Sequence, residues 1–240
     1  MELSVIMDMK HILIISGIKI HLKAKNYMNV RISNLIAGYK NKPAIILNKF
    51  EINERDKIII IEGKNGSGKT SFLKALFKAT SENSGEIYFD NILYSKKTKS
   101  EILKKIGFCL IPGLSFSHLS LVQNINLYKL LHDNCSTNFA YELIEKLKFE
   151  EYKNIKCSNL SVGTRKIADF IIAVFHHPEL VILDEPTANL DFEITKGLIN
   201  TISFLVENKN MQFIIASNDI MNFENLNYRK IQIENGKILD

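Results

Sequence analysis

No tryptophan occurs in this sequence, proline occurs four times in 240 residues, and no unit repeats along it. Those absences argue against a solenoid, a proline-rich linker or a disordered tail. Cysteine is scarce and odd in number: Cys109, Cys135 and Cys157 share no metal-ligand spacing. An odd count fits reduced thiols of a cytoplasmic protein, each read as a small buried hydrophobe. Long apolar runs are missing as well. The stretch from Ile12 to Ile18 falls far short of the roughly 20 residues that cross a bilayer, and it has no small-residue cleavage site. The expectation is a soluble chain, meeting a membrane only through a partner.

Basic charge is present but not concentrated. The net charge is +5, and the lysines are scattered, for example Lys23, Lys40, Lys74, Lys146 and Lys237. A nucleic-acid face clusters Lys and Arg with interleaved aromatics, so these read as solvated surface and no nucleic-acid partner is expected. His176 and His177 are adjacent, and neighbours on a helix point about 100° apart, so they do not converge on a metal.

What is there is ordinary for a globular protein, at 46% hydrophobic and 24% charged residues. The length suits one large α/β domain with at most a small inserted lobe. Residues 1–28 carry a strand-like run, Ile12-Leu13-Ile14-Ile15, with no chemistry on it. Further on, Val30-Arg31-Ile32 reads as a strand, Gly38-Tyr39 as a loop and Ala44–Leu47 as a strand. The β-branched run Lys57–Glu62 fits a central strand buried on both faces. Thr70–Phe77 has helical spacing, Ser84-Gly85 is read as closing that helix, and Glu86–Phe89 with Asp90-Asn91 as strand and turn. Phe116 to Cys157 and Ile167 to Phe175 read as helical, Leu180–Leu183 and Phe213–Ala216 as buried strands. The end, Ile231–Leu239, reads as a hairpin around Asn235-Gly236. Buried strands alternating with helices predict a parallel α/β core, with a helical lobe inserted at about 114–178.

The sharpest motif is Gly63-Lys64-Asn65-Gly66-Ser67-Gly68-Lys69-Thr70, followed by Ser71. It matches the P-loop pattern G-x-x-x-x-G-K-[ST], and it lies between a buried strand and a helix start, as the mechanism requires. Glycines let backbone N–H groups converge on phosphates, and the helix start favours anions. Lys69 is placed to reach β- and γ-phosphates and the Thr70 hydroxyl to hold Mg²⁺. A second acidic element completes the pattern: Leu180–Leu183 runs into Asp184-Glu185-Pro186. Asp184 suits the metal's coordination shell, and Glu185 suits the orientation or deprotonation of an attacking water. Binding of ATP or GTP is predicted.

The order of these motifs resembles the ATP-binding subunits of ABC transporters over residues 29–240. Leu160-Ser161-Val162-Gly163-Thr164 stands where that family carries its LSGGQ signature, Ala188-Asn189-Leu190-Asp191 looks like its D-loop, and Ser84–Ile87 matches a common family phrase. The resemblance implies a P-loop NTPase core of ABC type with an inserted helical subdomain and an antiparallel β subdomain. It implies that Tyr39 stacks on adenine. It further implies that two ATP-binding subunits, alike or different, pair head to tail. Ser161 and Gly163 of one would then meet the γ-phosphate held by the other's P-loop, and an integral membrane subunit would dock near 107–120.

Three departures stand out. The signature has Val162 and Thr164 for glycine and glutamine, Ile111 falls on the Q-loop glutamine, and Asn218 falls on the switch histidine. Asn218 can donate a hydrogen bond to a γ-phosphate but does not titrate. Firm nucleotide binding is therefore expected, with hydrolysis slow or partner-dependent. Two functions are weighed: the energy-coupling subunit of an ABC transporter, peripheral to the membrane, and a non-transport cytosolic ABC-like ATPase or weakly active regulatory partner.

Overall fold

The computed structural model describes residues 27–39, 42–110, 113–132 and 135–239, together with three short strands ahead of them. Those strands are β1 (Ile6–Asp8), β2 (Ile12–Ile15) and β3 (Ile18–His21). They pair antiparallel in chain order as a small sheet of their own. The run Ile12–Ile15 is thus the middle strand of a meander.

Next come β4 (Val30–Tyr39), β5 (Lys42–Ile52), β6 (Ile58–Glu62) and α1 (Lys69–Ala75). They are followed by β7 (Glu82–Phe89), β8 (Ile92–Leu93), α2 (Lys99–Leu103) and β9 (Ile106–Cys109). Three helices then precede the next strand: α3 (Leu121–Lys129), α4 (Asn138–Lys146) and α5 (Val162–Val174). The chain closes with β10 (Leu180–Asp184), α6 (Phe192–Lys209), β11 (Gln212–Ser217), β12 (Arg229–Glu234) and β13 (Lys237–Leu239).

Two larger sheets result. One has the order β13-β12-β6-β11-β10-β9, parallel except for the β12–β13 hairpin. The other, β5-β4-β7-β8, is antiparallel. Side chains on a strand alternate between faces, and the parallel sheet is buried on both. Ile58, Ile60, Val181, Leu183, Phe213 and Ile215 face a core built with α3, α4, α5 and α6. Ile59, Ile61, Leu180, Ile182, Ile214 and Ala216 face a second core shared with Phe72 and Leu73 of α1 and with Ile32, Leu35 and Ile45 of the antiparallel sheet. Full burial of each such isoleucine stabilises by about 1.5–3 kcal/mol, which explains why unbroken β-branched runs, and not alternating ones, occupy the centre. An Ile60→Ala change, at a residue with no exposed surface, removes contacts on the helical side at a cost of about 2–5 kcal/mol.

Two local readings are corrected. Gly38-Tyr39 is not a loop: the β4–β5 pairing runs on to Tyr39↔Lys42, so the strand continues to the very tip of the hairpin. Ser84-Gly85 does not close α1. That helix ends at Ala75, the chain turns through Lys78 at φ 49°, and Ser84-Gly85 lies within β7. Gly85 has φ +82° where the β4–β7 register shifts, and a Cβ there would stand 2.3 Å from the Asn34 carbonyl oxygen. The glycine therefore serves a bulge between strands and not a helix end.

The register places the functional ends together. Asp184 pairs with Ala216, and Ser217 pairs with Glu62. The carboxyl ends of β6, β10 and β11 thus open on one edge, the edge where ligands of parallel α/β sheets bind.

Candidate nucleotide and active site

The loop between β6 and α1 is bent by Gly68, whose φ of 112° suits only glycine; a Cβ would crowd the Ala44 carbonyl oxygen at 3.0 Å. The Ser67 amide donates to the Lys64 carbonyl at 3.1 Å, and the Gly236 amide donates to the Ser67 carbonyl at 2.8 Å. The loop is therefore braced by the turn of the C-terminal hairpin. A cavity of about 470 Å³ opens here, lined by Asn65, Gly66, Gly68, Lys69, Thr70, Ser71 and Glu185, and also by Pro43, Ala44, Asn235 and Gly236.

Lys69 is buried at 6% exposure. Its ammonium donates to the Gly63 carbonyl at 2.6 Å, to the Lys64 carbonyl at 3.3 Å and to Asn218 Oδ1, and it stands 3.6 Å from Glu185 Oε1. The next residue, Thr70, donates its hydroxyl to Asp184 Oδ2 at 2.8 Å. Asp184 is buried, and its other oxygen, Oδ1, is shut from solvent with no hydrogen-bond partner among the described residues. Burial raises its pKa, while the Thr70 bond and then the Lys69 charge pull it back down. A hydroxyl, a carboxylate and a spare buried carboxylate oxygen form an all-oxygen donor set of the kind that suits Mg²⁺.

Glu185 follows β10 in a left-handed conformation, φ 47°. Such a backbone is uncommon for a residue with a side chain and tends to persist where surrounding bonds hold it. Its amide donates to the Ala216 carbonyl at 2.8 Å, and its carbonyl accepts from Lys166 Nζ at 2.7 Å. Its carboxylate accepts from the Asn218 amide at 3.2 Å, and the Asn218 side chain donates to Asn65 Oδ1. Asn218, from the end of β11, is thereby joined to the P-loop, to Lys69 and to Glu185.

The remaining sequence-predicted residues lie elsewhere. Tyr39 is exposed at the tip of β4 and does not line the cavity. Ser161 caps α5, its hydroxyl accepting from the Thr164 amide at 3.0 Å, and Gly163 sits in the first turn; neither lines the cavity. Ile111 lies outside the described residues. Gln123, the first glutamine after Ile111 in the chain, belongs to a capping box on α3, where its Oε1 accepts from the Ser120 amide at 2.9 Å. Sequence reading missed the Asn235-Gly236 turn as a wall of the site, because only the folded sheet brings residue 236 to residue 67. It also missed Lys166, which lies two residues past the Leu160–Thr164 motif and outside it.

With this geometry in place, known proteins give a consistent answer. The pattern of the family described as ABC transporter matches residues 48–188. The lipoprotein-releasing system ATP-binding protein LolD of Buchnera aphidicola is 32% identical over 209 residues, covering 81% of this chain and 90% of the relative. The putative hemin import ATP-binding protein HrtA of Staphylococcus aureus is 28% identical over 197 residues, covering 80% and 88%. Among solved structures, the dimeric bacterial ABC transporter cassette MJ0796 superposes with a TM-score of 0.77 at 21% identity, covering 88% of this chain and 97% of that one. The post-hydrolysis dimer of the same cassette with ADP and Pi gives 0.76 at 23% identity. The chain belongs to the ABC transporter family, as one of its ATP-binding subunits.

Proposed function

We propose that this chain drives a membrane transporter by pairing head to tail with a second ATP-binding subunit around two ATP molecules. Residues 29–240 form the ATP-binding domain in this reading, with a helical subdomain at about 114–178 and residues 1–28 as an extension. The observation that carries it is the bonded cluster of Lys69, Thr70, Asp184, Glu185 and Asn218, drawn from three separate strand ends, of which Lys69, Thr70 and Glu185 line the cavity beside the P-loop.

The roles follow from the chemistry of each group. Backbone amides of Gly63 to Gly68, with Lys64, Asn65 and Ser67, wrap the phosphates, and Lys69 and Ser71 add a charge and a hydroxyl. Thr70 and Asp184 would hold Mg²⁺, which supplies charge neutralisation on the phosphates. Glu185 is the acceptor for a proton of the attacking water, and Asn218 donates to the γ-phosphate. Tyr39 offers a ring to adenine. Ser161 and Gly163, a short hydroxyl and a bare backbone at a helix start, close over the partner's γ-phosphate.

Among the described residues no helix is long and apolar enough to cross a membrane, so the transport path is assigned to a separate integral membrane subunit. Relatives are named for lipoprotein release, hemin import and tungstate uptake. A shared ATP-binding part serving such different cargo supports placing substrate choice in that membrane subunit.

The test is steady-state MgATP turnover of the purified chain across protein concentration, with Glu185→Gln as control. Turnover rising more than linearly with protein, and lost in the control, is the expected result. Turnover strictly proportional to protein down to the lowest concentration would overturn the dimeric reading.

A further inference from the structure

The first turns of α5 press against the segment that carries Glu185. Gly163 is one contact: a Cβ on it would stand 2.9 Å from the Asn189 carbonyl oxygen and 3.1 Å from Leu190 Cδ2. Lys166 is the other. Its ammonium donates to the carbonyls of Glu185 and Ala188, both at 2.7 Å. Those carbonyls close the turn that leaves β10, in which the Ala188 amide also donates back to the Glu185 carbonyl at 3.3 Å. Within that turn Glu185 has φ 47° and Asn189 has φ 63°, both in the left-handed region. Two charge-assisted bonds from one side chain therefore clamp a turn whose backbone is held off its preferred conformations.

We propose that Lys166 is a positioning residue for hydrolysis, fixing the turn that aims Glu185 and locking it to the helix that carries Ser161 and Gly163. The consequence rests on the head-to-tail reading above. Within one subunit, Ser161 serves the partner's nucleotide while Glu185 serves its own. Lys166 stands one turn and a half along α5 from Ser161 and bonds directly to the Glu185 peptide, so it links the two nucleotide sites through one rigid helix. Closure of α5 on one ATP is thus transmitted to the carboxylate at the other.

The experiment compares Lys166→Met, which keeps the stem and removes the donors, with Lys166→Arg, which keeps donors at similar reach. Expected for Lys166→Met is a fall in kcat of about tenfold or more, with the KM for MgATP and the equilibrium affinity for ATP within about twofold of the parent. Lys166→Arg is expected to recover most of that loss. A thermal melt of each variant reports folding. Combining Lys166→Met with Glu185→Gln is expected to leave the ATP-induced dimer intact by analytical ultracentrifugation. The proposal is overturned if Lys166→Met turns over at the parental rate, if kcat and nucleotide affinity fall together, or if Lys166→Arg is no better than Lys166→Met. Failure of Glu185→Gln alone to dimerise on ATP would instead remove the head-to-tail reading and the link between sites, leaving the aim of Glu185 to be judged by kcat.

Discussion

Lys69 and Asn218, 149 positions apart in the chain, meet at the P-loop, where the lysine ammonium donates to the asparagine Oδ1. The Asn218 amide group also donates to Asn65, and its backbone N–H to Glu185. One residue thus connects the phosphate-binding loop, through its side chain, with the Glu185 carboxylate, through its backbone N–H. Asn218→Ala is expected to lower kcat by about tenfold while ATP affinity, which the proposed function assigns to the loop amides and Lys69, changes little. Asparagine does not titrate, whereas histidine does so near neutrality. Asn218→His is therefore expected to add an ionisation at about pH 6–7 to the pH profile of kcat, and a profile identical to the parent would count against a place for residue 218 in the reaction.

The Thr70–Asp184 pair leads to a prediction about Mg²⁺. Burial raises the Asp184 pKa, opposed first by the Thr70 hydrogen bond. In the proposed function Asp184 holds Mg²⁺ as its deprotonated carboxylate, so protons and Mg²⁺ would compete for it. The Mg²⁺ concentration giving half-maximal turnover should therefore rise as pH falls toward the raised pKa. Asp184→Asn, which keeps the shape and loses the charge, should raise it at every pH and flatten the dependence. Magnesium titrations of turnover at several pH values decide the matter.

Asp169 on α5 supports the segment after β9 from below. It is 4% exposed and accepts from the Leu114 amide at 3.0 Å and the Ser115 amide at 2.6 Å. Arg165, four residues earlier, donates to the Ser115 hydroxyl at 3.1 Å and to its carbonyl at 3.0 Å. Asp169→Ala leaves both amides without their acceptor, at a cost of about 2–4 kcal/mol. Asp169→Asn keeps one acceptor oxygen and should lose less. Urea denaturation midpoints of the two variants measure the difference; equal losses would mean that charge, and not hydrogen bonding, anchors the segment.

The parts of this fold that could be read in the sequence are those whose cause is local. Ile58–Ile61 and Leu180–Leu183 announce buried strands because both faces are covered, and the P-loop announces itself because phosphate chemistry demands its spacing. The Asn235-Gly236 turn was equally plain, with φ values of 48° and 75°. The 18-residue helix α6 went unread although its apolar positions Leu198, Ile202 and Leu205 are regularly spaced. Its start, Asp191, looks like the last letter of the D-loop, yet the side chain also caps the helix by accepting from the Ile194 amide at 2.8 Å. Gly85 misled for a different reason: a glycine after a helix and a glycine in a bulge look the same until the partner strand is known. The contacts of Asn218 depend on β10 and β11 lying side by side, and those of Lys166 on α5 reaching the turn after β10, neither of which any local pattern encodes.

His176 gives a prediction on stability and pH. Its ring stacks on His132 with centroids 3.9 Å apart and meets Phe175 edge-on, and both ring nitrogens are shut from solvent. Burial, followed by the neighbouring His132, lowers its pKa from 6.5 to about 3. Below pH 6.5 the unfolded chain therefore binds a proton that the folded chain excludes, so folding stability falls as pH drops toward about 3. At about pH 5 the loss from this one group is about 2 kcal/mol. Replacing it by phenylalanine keeps a flat ring on His132 and removes the titrating nitrogens. Chemical denaturation of both proteins at about pH 7 and about pH 5 is the measurement. The variant should lose less stability than the parent between the two, by about 2 kcal/mol; an unchanged difference would mean that the His176 ring takes up its proton inside the folded protein.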